Sequence, residues 1–461
     1  MNDEAARIAP NERIFTTRTL NLNSIKVMGF DMDYTLVVYK DDVLEDLIYR
    51  LTAERLVEKL GYPKEIRDQR FDSKWVIRGL IIDKKLGNLL KINLFGYIKA
   101  ALHGDHFYSR EEMREIYSDE IVTLPSDRFE MIHTLFALAL SALFCQITAL
   151  EIGSLTYEKI YEDIISTIND LHQHGPVKEA ILKEPDKFIY IDKSYLETLE
   201  MLKSFGKKLL LITNSDWSYT RSIMPLCYDP FLPAGTTWRD LFDLVVVDAM
   251  KPGFFTGQNS YYEVITEDGH LVKTNKLQQK KVYQGGNAMD IESLFNVSRG
   301  QILYVGDHIY SDVYQSKKVC HWRTMLVISE LEDELQAASD TDHILNEIKE
   351  NMRAKEELEL NLDEIKKQSS GKKNTADLQK EEEEVRQKIQ DVDAKVGLLI
   401  EKLNSHFNPN WGELLFAGND KSYFFTSIER YACTYTSKVS NLLNYSPAHY
   451  FRPPIKSYEI A

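Results

Sequence analysis

Five short apolar runs, at 26–31, 208–213, 242–248, 302–306 and 322–328, are rich in β-branched residues or Leu and bounded by turn or helix signals. Continuous apolar runs of this length predict strands buried on both faces, as in a parallel sheet. Helical periodicity appears between the later runs, over 194–205 and 311–319, so the order is that of repeated βα units. The expected fold is a doubly wound α/β core, in which ligands sit beyond the carboxyl ends of the strands. The first four runs end in or beside Asp, Thr, Asn or Lys. The first and second runs are separated by far more than the ~10–12 residues of a minimal crossover, which predicts an inserted, mainly helical cap. Within it, LFALALSALFCQITALEI at 135–152 is long enough to span a membrane. Ser141, Gln146, Thr148 and Glu151 interrupt it, and a buried helix is expected instead.

Past the fifth run the chain is dominated by Glu, Lys, Leu and Ile. Leu378, Val385, Ile389, Val392, Val396, Leu399 and Leu403 follow alternating spacings that form a heptad seam. Two helices folding back at SSGKKN (369–374) would make an antiparallel coiled-coil hairpin, with the acidic run 381–384 as its solvated face. Aromatic residues return after Asn408. The expected division is therefore a catalytic core from 1–40 and 190–329, a cap at 41–189, a hairpin at 330–405 and a C-terminal segment at 406–461 that packs back on the body.

Charge narrows the partners. Fifty-six Lys and Arg face 71 Asp and Glu, a net charge of −15, which argues against nucleic acid and acidic membranes. Four scattered cysteines without a CxxC pair fit neither a disulfide scaffold nor a zinc site, and an N-terminal stretch without an apolar h-region is no secretory signal. A cytoplasmic location is expected.

The chemistry lies at the strand ends. Asp31-Met32-Asp33-Tyr34-Thr35 places two carboxylates two residues apart, which repel unless a cation or proton lies between them. Taken alone, the pair could be loop caps. The second run ends in Thr213-Asn214-Ser215, Lys251 follows the third in DAMKP, and the fourth leads into Asp307 and Asp312 in GDHIYSD. Together these four motifs resemble those of the haloacid-dehalogenase-like phosphohydrolases. GFDMDYTLVVY, RGLIIDKKLGNLLKINLFGY, ITNSDWSYT, FDLVVVDAMKPGFF and ILYVGDHIYSDVYQSKK extend the similarity to the cytosolic purine 5′-nucleotidase branch over 21–328, and SIERYACTYTSKVSNLLNYSPAHYF resembles its C-terminal part.

That resemblance implies a Mg²⁺-dependent 5′-nucleotidase acting on IMP- or GMP-like purine nucleoside 5′-monophosphates, with a nucleoside as an alternative phosphoryl acceptor. A dianionic ester approaches a carboxylate only when cations shield it. Asp31 is then the nucleophile and Asp33 the acid and base. Thr213 and Asn214 donate to the phosphoryl group, and Lys251 offsets its charge. Asp31, Asp307 and the backbone carbonyl of Asp33 hold Mg²⁺. Asp312 supports the metal through water, orients Lys251 or merely starts a helix. Phe136 matches a base-stacking position, although a lone Phe in an apolar helix is more often core. His172 matches a base contact and Lys178 a basic residue near the phosphate. His133, Ile165 and Asn169 stand where that branch carries Asn, Arg and Asp. A homo-oligomer is expected. The competing readings are a phosphatase of the same fold for another phosphomonoester, and a scaffold that uses the hairpin.

Overall fold

The computed structural model describes residues 8–118, 120–150, 152–153, 155–173, 175–371 and 376–454. Residues 372–374 of the expected SSGKKN turn, Glu151 of the apolar stretch, and 455–461 lie outside that set.

Seven parallel strands form the centre of a ten-stranded sheet: β1 (Val27–Phe30), β2 (Lys208–Ile212), β3 (Leu244–Val247), β4 (Val282–Gly285), β5 (Ile302–Gly306), β6 (Arg323–Val327) and β7 (Thr434–Thr436). Their order is β7-β6-β5-β1-β2-β3-β4. Phe15–Thr16 closes one edge, and the hairpin Tyr261–Val264/Leu271–Thr274 the other, both antiparallel. All five apolar runs are strands of this sheet, and β1, β3 and β5 are buried along their whole length. Strand order reverses at β1, which lies between β5 and β2. The register sets Phe30 opposite Val305 on one side and Leu211 on the other. The loops after β1, β2 and β5 therefore emerge level with one another, at the switch point where an open α/β sheet binds ligands.

The long insertion leaves and rejoins the core at one place: Val38–Tyr39 pairs antiparallel with Ile189–Tyr190, and Lys40 N–H donates to Phe188 O at 2.7 Å. It contains helices α1 (Asp41–Leu60), α2 (Leu138–Thr148) and α3 (Tyr157–Gln173). It differs from a mainly helical insertion in carrying a five-stranded antiparallel sheet, built from Ile81–Asp83, Asn88–Ile92, Ile98–His103, His106–Phe107 and Phe129–Met131. Buried Asp83, Asn88 and Lys91 break the apolar alternation by which those strands would be read. Arg128 and the Tyr117 hydroxyl donate to Asp83, which makes its burial tolerable. The apolar stretch at 135–152 becomes a short 3₁₀ turn followed by α2, which is buried along nearly its entire length. No helix among the described residues is long and apolar enough to cross a membrane. All four cysteines are buried and free.

Two compact units divide the chain, one formed by 1–332 with 414–461 and the other by 333–413. In the first, the C-terminal part supplies helix Tyr423–Tyr431 and then β7. The second consists chiefly of α4 (Leu331–Gly371) and α5 (Ala376–Asn404). There Leu358, Leu362 and Ile365 pack against Val385 and Ile389. Lys355 pairs with Asp393 at 2.6 Å and Glu347 with Lys395 at 3.0 Å, so α4 and α5 run antiparallel side by side. Every seam residue from Leu378 to Leu403 is buried or half-buried, whereas the acidic run 381–384 is mostly exposed.

Candidate active site

Asp31 stands one residue beyond β1, its N–H still donating to Val305 O of β5 at 2.9 Å. Its Oδ1 accepts from the Lys251 ammonium at 2.8 Å and from Met32 N–H at 2.8 Å. Lys251 arrives on the loop after β3, between β3 and a short helix at Gly253–Thr256, and its side chain is almost fully enclosed. The same ammonium donates to Asp312 Oδ1 at 2.8 Å and to the Tyr304 hydroxyl at 3.0 Å. Burial opposes the Lys251 charge, but Asp31 and Asp312 together hold its pKa well above the ordinary value.

Asp307, just past β5, completes a cluster in which one carboxylate oxygen each of Asp31, Asp307 and Asp312 lies within 4.8 Å of the others. Asp307 Oδ2 is buried without a hydrogen-bond partner. Burial, then the charges of Asp312 and Asp31, push its carboxyl well above the usual range, and burial lifts Asp31 to about 6 despite Lys251. Three buried carboxylates around one ammonium leave two negative charges uncompensated when ionised. The cluster thus has the donor type and the charge to hold a hard divalent cation.

The segment expected as a plain helix over 311–319 instead opens with a π-helical turn, Ile309–Tyr314, before the short α-turn Gln315–Lys318. Asp312 sits in that turn and its carboxylate passes over Gly306, where a Cβ would come within 2.5 Å of Oδ2. A side chain at 306 would displace the carboxylate from Lys251. Asp312 thus contacts Lys251 directly, at 2.8 Å.

Asp33 has a different environment. Its Oδ1 accepts from the Tyr39 hydroxyl at 2.6 Å and its Oδ2 from the Ser215 hydroxyl at 2.7 Å, so both oxygens have partners outside the three-acid cluster. Tyr39 OH in turn lies 2.8 Å from Tyr219 OH. Burial and the Asp31 charge raise the Asp33 pKa, and the two hydroxyl donors moderate the rise. Two carboxyls of one motif thus have different surroundings, one paired to an ammonium and one bonded to two hydroxyls.

Thr213 is fully buried and its Oγ1 accepts from Ser215 N–H at 3.0 Å. The Asn214 side chain brackets the Lys251 peptide unit, donating to Lys251 O at 3.0 Å and accepting Lys251 N–H at 2.6 Å. Asn214 thus fixes the Lys251 loop, and one amide hydrogen remains for an incoming oxygen. Phe136 is half-buried in the cap, edge-on to Tyr34 at 4.7 Å and to His172 at 5.1 Å between ring centroids. Tyr34 follows Asp33 directly with φ of 55°, so a left-handed backbone turns its ring toward the cap. His172 Nε2 is buried without a partner, and burial, aided by Lys178, lowers its pKa to about 4. Lys178 pairs with Asp216 at 2.6 Å. His133 stacks on His308 at 5.9 Å, while Ile165 is half-buried and Asn169 exposed. Tyr39, Ser215, Tyr219, Tyr304 and Arg78 also serve the site. None of these carries a spacing signal, and only Ser215, adjoining Asn214 in the strand-end motif, lay within reach of sequence reasoning.

A strand-end carboxylate beside a buried ammonium, at the switch point of a parallel sheet, is machinery for moving a phosphoryl group, and the chain is a phosphomonoester hydrolase. More particularly, the model of the 5′ nucleotidase family matches residues 14–459, and the chain belongs to that family. A 5′-nucleotidase domain-containing protein of Dictyostelium discoideum is 31% identical over 456 residues, which are 94% of this chain and 72% of the relative. Two solved structures align with 66% of the chain. One is assigned as a phosphoglycolate phosphatase from Haemophilus somnus, at 14% identity, 85% coverage of its own chain and a TM-score of 0.30. The other is described as a HAD-hydrolase from Bacillus subtilis bound to magnesium, at 11% identity, 88% coverage and a TM-score of 0.25.

Proposed function

We propose that this chain is a Mg²⁺-dependent 5′-nucleotidase of the haloacid-dehalogenase type that hydrolyses purine nucleoside 5′-monophosphates through an aspartyl phosphate on Asp31. The observation that carries the reading is the Lys251 ammonium held 2.8 Å from both Asp31 and Asp312, with Asp307 Oδ2 unpartnered beside them. The carboxylates of Asp31 and Asp307 and the backbone carbonyl of Asp33 would hold the cation, with Asp312 supporting it through water or orienting Lys251. When bound, Mg²⁺ supplies charge stabilisation to the phosphoryl oxygens.

The remaining steps belong to the chain's own side chains. A carboxylate oxygen of Asp31 attacks phosphorus while the bond from phosphorus to the ribose O5′ breaks. Asp33 gives its proton to that oxygen, and the nucleoside leaves neutral. Asp33, now ionised, takes a proton from water as the water oxygen bonds to phosphorus and the Asp31–phosphorus bond breaks. Orthophosphate leaves, and both carboxyls are restored. Lys251 offsets the transferring group's charge, and Thr213 and Asn214 donate hydrogen bonds to its oxygens. Phe136 stacks on the base, with His172 at its edge and Lys178 on the phosphate side. A nucleoside in the cap pocket can replace water as acceptor, giving a new monophosphate.

The test is orthophosphate release from IMP, GMP, AMP and pyrimidine monophosphates, with and without Mg²⁺, by the chain and by Asp31→Asn. Mg²⁺-dependent turnover of purine substrates that is abolished in a folded Asp31→Asn protein is expected. Turnover that persists without divalent cations, or in the variant, would overturn the mechanism. Preference for a non-nucleotide ester would overturn the substrate.

A further inference from the structure

Arg78 lies far from the DxD motif in sequence and is 1% exposed. Its guanidinium closes onto Glu330 with both arms of the fork, Nε to Oε1 at 2.9 Å and Nη2 to Oε2 at 2.5 Å. The remaining nitrogen, Nη1, donates to the backbone carbonyl of Asp307 at 3.1 Å. The ring of Phe424 lies beneath the guanidinium, 5.5 Å away. Gly79 has φ of +90°, and a Cβ there would meet Phe424 Cβ at 2.6 Å, so this close approach depends on glycine.

Glu330 along one edge and Phe424 on one face hold the guanidinium and leave Nη1 directed toward the peptide unit that carries Asp307. A buried planar fork with both ends bonded has little freedom, which makes it a rigid reference point for whatever its last nitrogen grips. Glu330 has a second effect. It neutralises Arg78, so that a cation next to Asp307 does not meet a bare positive charge in a medium of low dielectric. Glu330 also immediately precedes α4, so the root of the long helix is tied covalently to this anchor.

We infer that Arg78 is a positioning residue for the metal-binding loop, setting the orientation of Asp307 through its backbone carbonyl, with Glu330 as the counter-charge that makes this compatible with a bound cation. The inference rests on the reading of Asp307 as a metal ligand. A pair that only ties elements together would lower stability and leave ion affinity alone.

The experiment titrates the full chain with Mn²⁺, followed by its electron paramagnetic resonance signal and by calorimetry, without substrate. Arg78→Met is expected to weaken Mn²⁺ binding at least tenfold, and Arg78→Lys by a smaller factor because an ammonium can reach Asp307 O or Glu330 but not form the fork. Glu330→Gln is expected to weaken binding severalfold through the uncompensated charge. Arg128→Met, which breaks the comparable fork onto Asp83 in the cap (2.8 and 2.7 Å), serves as the control and should lower the melting temperature with unchanged Mn²⁺ affinity. If Arg78→Met does not fold, the ordering of Arg78→Lys and Glu330→Gln against the control decides. Mn²⁺ affinities within twofold of the parent in the folded Arg78 and Glu330 variants would overturn the inference while leaving the metal site standing. An absence of Mn²⁺ binding by the parent chain would overturn both.

Discussion

Replacing Tyr39 with Phe removes one hydroxyl and nothing else from the surroundings of Asp33. That hydroxyl is one of two donors on the Asp33 carboxylate, at 2.6 Å, with Ser215 as the other. While Asp33 is protonated the loss is modest. It becomes large as the proton passes to the leaving oxygen and the carboxylate acquires charge in a buried site. A hydrogen bond to a charged group is worth roughly 1.5–3 kcal/mol, so the proton-transfer step should slow by about 10- to 150-fold. The loss should appear in kcat for a nucleoside monophosphate, whose alkoxide cannot leave unprotonated. It should nearly vanish for p-nitrophenyl phosphate, whose phenolate leaves without a proton. Tyr219 OH, 2.8 Å from Tyr39 OH, loses its partner as well, so some fall in melting temperature is expected. Parallel assays on the two substrates at saturating Mg²⁺ separate the effects. Equal losses on both, or a lower melting temperature with unchanged kcat, would refute the role given to the Tyr39–Asp33 contact.

Phe136→Ala should weaken nucleotide binding by roughly 1–3 kcal/mol, read as a rise in KM, while p-nitrophenyl phosphate changes little; equal effects on both would make Phe136 a packing residue. Burial, relieved in part by the Ala139 N–H and Tyr34 and reinforced by Asp41, lifts Glu45 from an ordinary 4.5 to about 8. The folded state then keeps a proton that the unfolded state loses, so this contribution is full below 4.5 and is lost as pH rises to about 8. Glu45→Gln should match the parent's melting temperature near pH 5 and exceed it near pH 8, by up to about 5 kcal/mol of stability; a gap that does not grow with pH would refute the assignment. Lys355 opposite Asp393 and Glu347 opposite Lys395 bring 346 and 396 side by side across the hairpin. Replacing 346–396 with a short Gly/Ser linker should keep Mg²⁺-dependent turnover within a few-fold, and a folded but inactive product would show that the hairpin helps build the site.

What could be read from the chain followed the range of the forces involved. A strand buried on both faces must be apolar along its length, so Met28, Phe30, Leu210 and Val246 declare themselves without any knowledge of their neighbours. The cap sheet hides because Asp83, Asn88 and Lys91 are buried at positions where the pattern calls for apolar residues. Their cost is met by partners such as Arg128 and Tyr117, tens of residues away, and no local window contains both sides of that exchange.

The site divides along the same line. Carboxylates crowded at strand ends carry a penalty that a reader of the sequence can see, and so Asp31, Asp33, Lys251 and Asp307 were legible as candidates. The groups that make them different from one another are hydroxyls and a guanidinium. Tyr219 reaches Tyr39 across 180 residues and Arg78 reaches Asp307 across 229, through contacts that exist only once the sheet and the insertion have packed. Spacing could show that two carboxylates share one motif. It could not show that Asp31 would face an ammonium and Asp33 two hydroxyls, the asymmetry on which the proposed division into nucleophile and proton carrier rests.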